Sequence, residues 1–341
     1  MGKPEDDLDA ILGAQWNFHL LGAAARLGVA DEFAEGPRTA ADLAAAIGAG
    51  DVKAVSAFLN NAESIGLVQR VDADRFAETP MLALLRRDGG AYRNIVLMLT
   101  SPGLCRPAEM LHSVVLHGRS HTEDALGKGL WSYYQENPDE AAAFADFMSE
   151  LSDMVADSVL SRYSFHEHRK VVDVGGSNGT FLSRILSQYP DVAGVLFDLP
   201  HAVERARRII AERELSSRVE FVGGSFFEKV PEGGDVYLLK CVLSDWDDES
   251  CARILSRCRE AASPGTPVVV IDWLYREDSA QLFDAIHLRQ LARVDGKVRT
   301  LPEYESLFEA AGLALKRVDS PAEGDAVEEW APATVFETIR R

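Results

Sequence analysis

The sequence predicts an α/β protein: a doubly wound sheet in the C-terminal half, preceded by a helical half with a winged-helix-like pattern. Two observations carry this. Beyond Lys170 the short apolar runs "VVDVGG", "AGVLFDL", "VEFVGG", "DVYLLK" and "PVVVIDW" alternate with helical stretches, which implies a parallel sheet covered on both faces. From Asp9 to about Leu85 the apolar residues recur at helical spacing instead. The expected domains are residues 1–155, a helical dimerisation and substrate-roof domain, and 156–341, the sheet domain.

In chain order, "LDAILGAQWNFHLLGAAARLG" is apolar on more than one face, so a monomer would leave apolar surface wet and a homodimer is expected. "AADLAAAIG" reads as a helix capped by Thr39. From Gly36 to Thr79 the pattern is helix, turn, helix, then two short strands around Asp72 to Asp74, a winged-helix order. Such modules bind DNA or serve as dimerisation scaffolds. A net charge of −19 repels a polyanion and argues for the scaffold, with no nucleic-acid partner.

Ala91 to about Arg162 is helical again and carries "GKGLWSYYQENP" and "AAAFADFMSELSD". Trp131, Phe144 and Met148 would line the roof of a pocket there, or pack as core, since aromatics and Met at helical spacing do either. The helix "LPEYESLFEAAGL" and the end strands complete the sheet domain.

With 341 residues, 47% hydrophobic and 26% charged, the chain suits a globular protein of about two domains. "MGKPEDDLDA" has no apolar h-region and no run of about 18 apolar residues occurs, so a cytoplasmic address and no membrane partner are expected. Cys105, Cys241, Cys251 and Cys258 lack CxxC spacing and read as reduced thiols. His166 and His168 in "SFHEHRK" have no nearby partners to close a metal site.

"VVDVGGSNGTFLSRIL" places Gly175, Gly176 and Gly179 between a buried strand and an amphipathic helix, where glycine lets the backbone approach a ligand. The dinucleotide fingerprint G-x-G-x-x-G is broken by Ser177 and Thr180, which disfavours a nicotinamide cofactor. Asp198 ends the next strand, 19 residues after Gly179, where an acid accepts hydrogen bonds from ribose hydroxyls. It could also cap the turn before Pro200. Paired with the glycine turn, it points to a nucleoside ligand.

Taken together, "FMSELS", "VVDVGGSNG", "FDLPHAVERA", "GSFFEKVP", "DVYLLKCVLSDWDDE" and "GKVRT" resemble the S-adenosylmethionine-dependent O-methyltransferases of the caffeate and hydroxyindole type, including the anthracycline-tailoring branch. The resemblance covers essentially the whole chain. It implies the class I methyltransferase fold, a Rossmann-like doubly wound sheet, with S-adenosyl-L-methionine as cofactor and a small-molecule substrate. By that resemblance Met148 and Ser152 touch the cofactor from the helical roof, Gly175 sits beside its methionine part, and Asp198 with Leu199 holds the ribose. Phe226 and Trp246 flank the adenine, and Lys240 lies at the strand end. Ser225 stands where the family usually has the acid of "GDFF", which removes a carboxylate acceptor at the adenine.

The family's strand-end motif is usually "HDW", and its histidine deprotonates the acceptor hydroxyl. This chain has Ser244 there. The two carboxylates that orient the histidine differ as well: "VVVID" offers the shorter Asp272, and "GGKERT" has become "DGKVRT" with Val298. A serine hydroxyl is no base near pH 7 without a partner. Ser244 is expected as a spacer, a weak hydrogen-bond donor or a cap of the helix after it, and Asp245, Asp247, Asp248 and Glu249 as that helix's solvated first turn. In "FDAIHLRQLARVDGKVRT", His287 is the candidate replacement base. Arg289, Gln290 and Arg293 replace a usually apolar wall, and arginine pairs with carboxylates and other oxygens, so an oxygen-rich substrate is expected.

Loss of the histidine does not end methyl transfer. A phenol of pKa about 10 is ionised to roughly one part in a thousand at pH 7, so a base recovers about 10²–10⁴ in rate. Holding two reactants in line is worth an effective molarity of about 10⁵–10⁸ M. The expectation is a base-poor methyltransferase acting on a hydroxyl of a small aromatic or polyketide-like metabolite. The same branch includes members that keep the cofactor bound while decarboxylating or hydroxylating, and other relatives run pericyclic cyclisations. A fixed sulfonium can stabilise developing negative charge; such a reaction, or N- or C-methylation, is the alternative.

Overall fold

The computed structural model describes residues 3–88, 90–321 and 334–340. They form two compact units, Met1–Cys105 with Pro138–Phe147, and Arg106–Asn137 with Met148–Arg341.

In the first unit, β1 (Arg38–Thr39) leads into helices Ala40–Ala46 and Val52–Ser64, followed by a hairpin of β2 (Val68–Arg70) and β3 (Arg75–Glu78); β1 also pairs with β3. Thr39 starts the first of these helices through a capping box: its Oγ1 accepts the Asp42 N–H, and the Asp42 carboxylate accepts the Thr39 N–H. Leu43, Leu59, Leu67 and Phe76 close the core beneath. This is the helix, helix, wing order expected from sequence. Helix Pro4–Leu27 exposes Leu8, Ile11, Leu12 and Trp16.

The second unit is built on seven strands: β4 (Lys170–Val174), β5 (Ala193–Asp198), β6 (Val219–Gly223), β7 (Val236–Lys240), β8 (Pro267–Asp272), β9 (Leu313–Asp319) and β10 (Thr334–Arg340), in the order β6-β5-β4-β7-β8-β10-β9. Successive residues alternate between two buried layers. Val171, Leu238 and Val269 pack with Phe181 and Ile185 on one face, and Val172, Tyr237 and Val268 with Ile254 and Leu255 on the other. Such two-sided burial is why the strands read as continuous apolar runs.

The sheet departs from all-parallel at one strand: β10 runs antiparallel to both β8 and β9. An antiparallel neighbour needs no crossover helix. The strand order reverses between β4 and β7, where parallel sheets open a crevice at the carboxyl ends of their strands. Val174, Asp198, Lys240 and Asp272 are the last residues of β4, β5, β7 and β8.

Candidate active site

The chain leaves β4 through Gly175, at φ 75° with its N–H donated to Phe197 O at 2.8 Å. A Cβ here would lie 2.9 Å from Val242 Cγ2, so the positive φ and the close approach both call for glycine. Asp198 is fastened to this turn: Oδ2 accepts the Ser177 N–H at 2.7 Å and Oδ1 the Leu199 N–H at 2.6 Å. Turn cap and ligand acceptor are therefore compatible roles, because each carboxylate oxygen retains a further lone pair.

Beyond the turn an aromatic cluster forms around Trp246. Phe226 meets it edge-on with ring centroids 5.9 Å apart, Phe227 at 4.8 Å, and Trp131 lies tilted at 6.4 Å. The Ser225 Oγ accepts the Phe227 N–H at 3.3 Å and so holds the turn after β6. Ser152 is buried and donates to the Met148 carbonyl at 2.6 Å within helix Pro138–Arg162. Phe144 is on the same helix but belongs to the first compact unit.

Four carboxyls collect near these strand ends, all shifted upward by burial. Asp173 is buried in β4, its Oδ2 has no hydrogen-bond partner, and desolvation pushes it up to about 7. Burial raises Asp198 against the pull of its two N–H donors. Asp272 is raised for the same reason, although the N–H groups of Ser244 (3.0 Å) and Trp273 (2.9 Å) both donate to it. Asp245 is pushed up to about 7 by burial and by the Asp272 charge. Lys240 donates to Cys241 Sγ at 3.3 Å, and its charge opposes the rise at Asp173, Asp245 and Cys241. Carboxyls held this way are stabilised as anions by an added cation. With the orphan Asp173 oxygen and the Asp198 acceptors, the donor set fits a positively charged nucleoside.

Ser244 sits in a short 3-10 turn, Leu243–Asp245, at 1% exposure; its Oγ meets no partner in good hydrogen-bond geometry, although its hydroxyl faces Asp272 and lowers that carboxyl's pKa. Its hydroxyl is sealed from solvent. Asp245 behaves differently: burial dominates its titration, yet the residue is not fully shut away from solvent. Gln290 Nε2 donates to its Oδ1 at 2.7 Å.

The expected solvated first turn is thus only partly realised. The helix begins at Asp248, capped by Asp247 through the Ser250 N–H, and Asp247, Asp248 and Glu249 are exposed. Trp246 is extended, at ψ 152°, and this break separates Asp245 from the helix.

Two residues of the "DGKVRT" stretch lock the turn. Buried Arg299 donates to Leu243 O at 2.8 Å, Trp246 O at 2.7 Å and Asp248 Oδ1 at 2.9 Å. A Cβ on Gly296 would collide with the Ser244 carbonyl oxygen and lie 2.9 Å from Asp245 Cα. Val298 packs with Phe283 and Ile286, so the position of the family's second carboxylate is apolar core.

His287 lies on helix Ala280–Val294, half-buried, with Nδ1 lacking a partner. Burial lowers its pKa, and the charges acting on it are Lys297, Glu303, Asp284 and Arg299. Those acting on Asp245 are Asp272, Arg293 and Lys240. Arg289 and Arg293 are half-buried on the same helix. His168 stacks on Tyr163 at 6.4 Å and faces Asp235; among the described residues no three ligand-type side chains gather for a metal.

Sequence reasoning missed Asp173, Phe227, Asp245 and Arg299. All four sit inside motifs already singled out. What had no signal was the burial of Asp173 and Asp245, since burial of a carboxyl is set by remote segments.

Residues 109–314 match the O-methyltransferase domain family. The phenazine O-methyltransferase of Lysobacter antibioticus is 32% identical over 319 residues, 93% of each chain. The solved structure of the mitomycin 7-O-methyltransferase matches with a TM-score of 0.90 at 31% identity, covering 99% of this chain and 98% of that one. The O-methyltransferase from neocarzinostatin biosynthesis, in complex with S-adenosylmethionine and 2-hydroxy-5-methyl naphthoic acid, matches with a TM-score of 0.81 at 30% identity, covering 95% and 96%.

Proposed function

The chain belongs to the O-methyltransferase family and is an S-adenosyl-L-methionine-dependent methyltransferase, and from that premise we propose that it methylates a hydroxyl of a small aromatic or polyketide-like secondary metabolite, mainly by positioning. The observation that carries this is the convergence of Gly175, Asp198, Lys240, Asp245 and Asp272 on the carboxyl ends of adjacent strands, beside a cluster of aromatic rings. When bound, S-adenosyl-L-methionine supplies a methyl group on a sulfonium, an already activated leaving group.

In this reading Asp198 and Leu199 hold the ribose, and Gly175 admits the methionine part. Phe226 and Trp246 flank the adenine above the turn held by Ser225, while Met148, Ser152 and Lys240 complete the cofactor shell. Trp131 and Met148 offer apolar contact to the acceptor, and Arg289, Gln290 and Arg293 offer donors to its oxygens. Asp272 acts by fixing the Ser244 turn. Ser244 is a sealed spacer, and His287, set among Lys297 and Glu303, is structural.

The proposal includes a homodimer through the exposed apolar face of helix Pro4–Leu27, where Trp16 is 65% and Ile11 69% exposed. Light scattering at micromolar concentration should give about twice the chain mass. Among the described residues no helix is long and apolar enough to cross a membrane, and free Cys241, Cys251 and Cys258, all buried, support a cytoplasmic address. The function is tested by incubating the enzyme with S-adenosyl-L-methionine and a panel of hydroxynaphthoic acids and phenols, with S-adenosylhomocysteine and methylated product read by mass spectrometry. Cofactor binding without either product across the panel would count against hydroxyl methylation.

A further inference from the structure

We infer that Asp245 is the proton acceptor of the reaction, one residue along the chain from the position where the family carries its histidine. The inference rests on the methyltransferase reading above and deepens it. Three geometric facts support it. Ser244, at the histidine position, is shut away at 1% exposure, with its backbone N–H spent on Asp272. Asp245 follows it in the same turn and is not fully shut away from solvent.

Its two oxygens are also differentiated. Oδ1 accepts Gln290 Nε2 at 2.7 Å, whereas no hydrogen bond to Oδ2 forms among the described residues, and the residue is only partly buried. A carboxylate held by one oxygen and open at the other is positioned for one incoming donor. Finally, the backbone beneath it cannot drift: Arg299 holds the carbonyls on both sides of the turn, and Gly296 packs directly on Ser244 and Asp245. A general base needs its geometry fixed by neighbours that do not themselves react.

Every element packed against Asp245 contributes to its titration. Asp272, at the end of β8, raises it; Gln290 and Arg293, from helix Ala280–Val294, lower it, as does Lys240 from the end of β7; and Cys241, itself pushed up to about 11, feels the Asp245 charge. Burial leads these influences and leaves the carboxyl titrating at about 7, where a base is most effective at neutral pH. The step balances. Asp245 Oδ2 takes the proton of the acceptor hydroxyl, and the freed electron pair on that oxygen bonds the methyl carbon while the carbon–sulfur pair stays on sulfur. Asp245 then returns its proton to water.

The test has two readouts. Without acceptor, pH-dependent infrared spectra of the enzyme with S-adenosylhomocysteine, taken as the difference between wild type and Asp245→Asn, should contain a protonated-carboxyl band that disappears as pH rises through about 7. The difference removes the contributions of Asp173 and Asp198. With the hydroxynaphthoic acid and phenol panel, kcat/KM should rise through the same midpoint, and Asp245→Asn should lose about 10²–10⁴-fold while binding the cofactor normally by calorimetry. Gln290→Leu, which leaves the carboxyl but removes its donor, should move the midpoint to higher pH. A band already ionised at pH 5, or Asp245→Asn within tenfold of wild type, overturns the assignment. If no probe is methylated although the band titrates at 7, the hydroxyl-methylation reading fails while Asp245 stands as a neutral-pH proton acceptor.

Discussion

The turn after β4, the edge proposed to hold the cofactor, and the turn after β7, the edge proposed to face the acceptor, lie along the same row of strand ends and are assembled differently. At the cofactor edge the decisive contact is a backbone N–H to a carboxylate, Ser177 to Asp198, between residues 21 apart in sequence. At the acceptor edge Ser244 is tied to Asp272 across 28 residues, Asp245 to Gln290 across 45 and Leu243 to Arg299 across 56. The first uses what any chain has, a turn and its amides. The second uses one such contact too, Ser244 N–H to Asp272, and adds Gln290 and Arg299 from more remote segments, so single substitutions can move it without disturbing the sheet. This is how the chain keeps a methyl-donor site while the residue at the usual base position becomes an inert serine.

The contrast is tested most severely at Arg299. If the acceptor edge depends on remote ties, Arg299→Met should disorder the Leu243–Trp246 turn while leaving the glycine turn intact. The loss leaves two carbonyls, Leu243 O and Trp246 O, without their donor, and a buried polar group left unpaired costs about 1–3 kcal/mol. The ion pair with Asp248 adds little, since Asp248 is largely exposed. Urea unfolding should reveal the full destabilisation, and methyl transfer should fall further than cofactor affinity. Equal losses of both would mean that the two edges are one unit.

Gly296→Ala comes next. The added Cβ must displace the Ser244 carbonyl or the Asp245 backbone, and overpacking of this kind costs about 1–3 kcal/mol. A shift of the turn by about 1 Å should lower methyl transfer about 10²-fold, with calorimetric binding of S-adenosyl-L-methionine nearly unchanged. An active Gly296→Ala variant would place the reacting groups elsewhere.

How much was legible beforehand follows the same division. Gly175, Asp198 and Trp246 stood out because their places in the turns depend on spacing within one strand, turn and helix, and such spacing is written in the sequence. The capping box at Thr39 and the wing hairpin were readable for the same reason. The accessibility of Asp245 was not, because "SDWDDE" reads as a polar helix start until Gly296 and helix Ala280–Val294 are packed over it. The reversed β10 was hidden too, as strand direction leaves no trace in an apolar run.

On the cofactor edge, Asp198→Ala should weaken S-adenosyl-L-methionine binding by about 1.5–3 kcal/mol, the range for hydrogen bonds to a charged group, or roughly 10–100-fold in Kd. Titration calorimetry measures this directly, and NAD should give no heat with either protein. Because the edges are separately built, the pH midpoint of methyl transfer should not move in this variant. A shifted midpoint would couple Asp198 to Asp245 and erase the distinction between the two edges.

The smallest effect is expected at Ser244, the residue whose identity first set this chain apart. Its Oγ is buried and only weakly engaged, facing Asp272 without good hydrogen-bond geometry, and the well-formed tie to Asp272 runs through its backbone N–H, which any residue except proline retains. Ser244→Ala removes a polar atom that gains little from burial, so unfolding stability should hold or rise slightly. The turn keeps Arg299, Gly296 and Asp272, so kcat should fall by less than about tenfold, well short of the 10²–10⁴ expected for a true base. Its pH profile should stay close to that of the wild type, rising near 7 with Asp245, because the hydroxyl reaches Asp245 only indirectly, by lowering Asp272. A thousandfold loss in a folded, cofactor-binding Ser244→Ala variant would mean that the hydroxyl leaves its buried position to meet the acceptor, and the proton would then have to be followed from the serine rather than from the acid beside it.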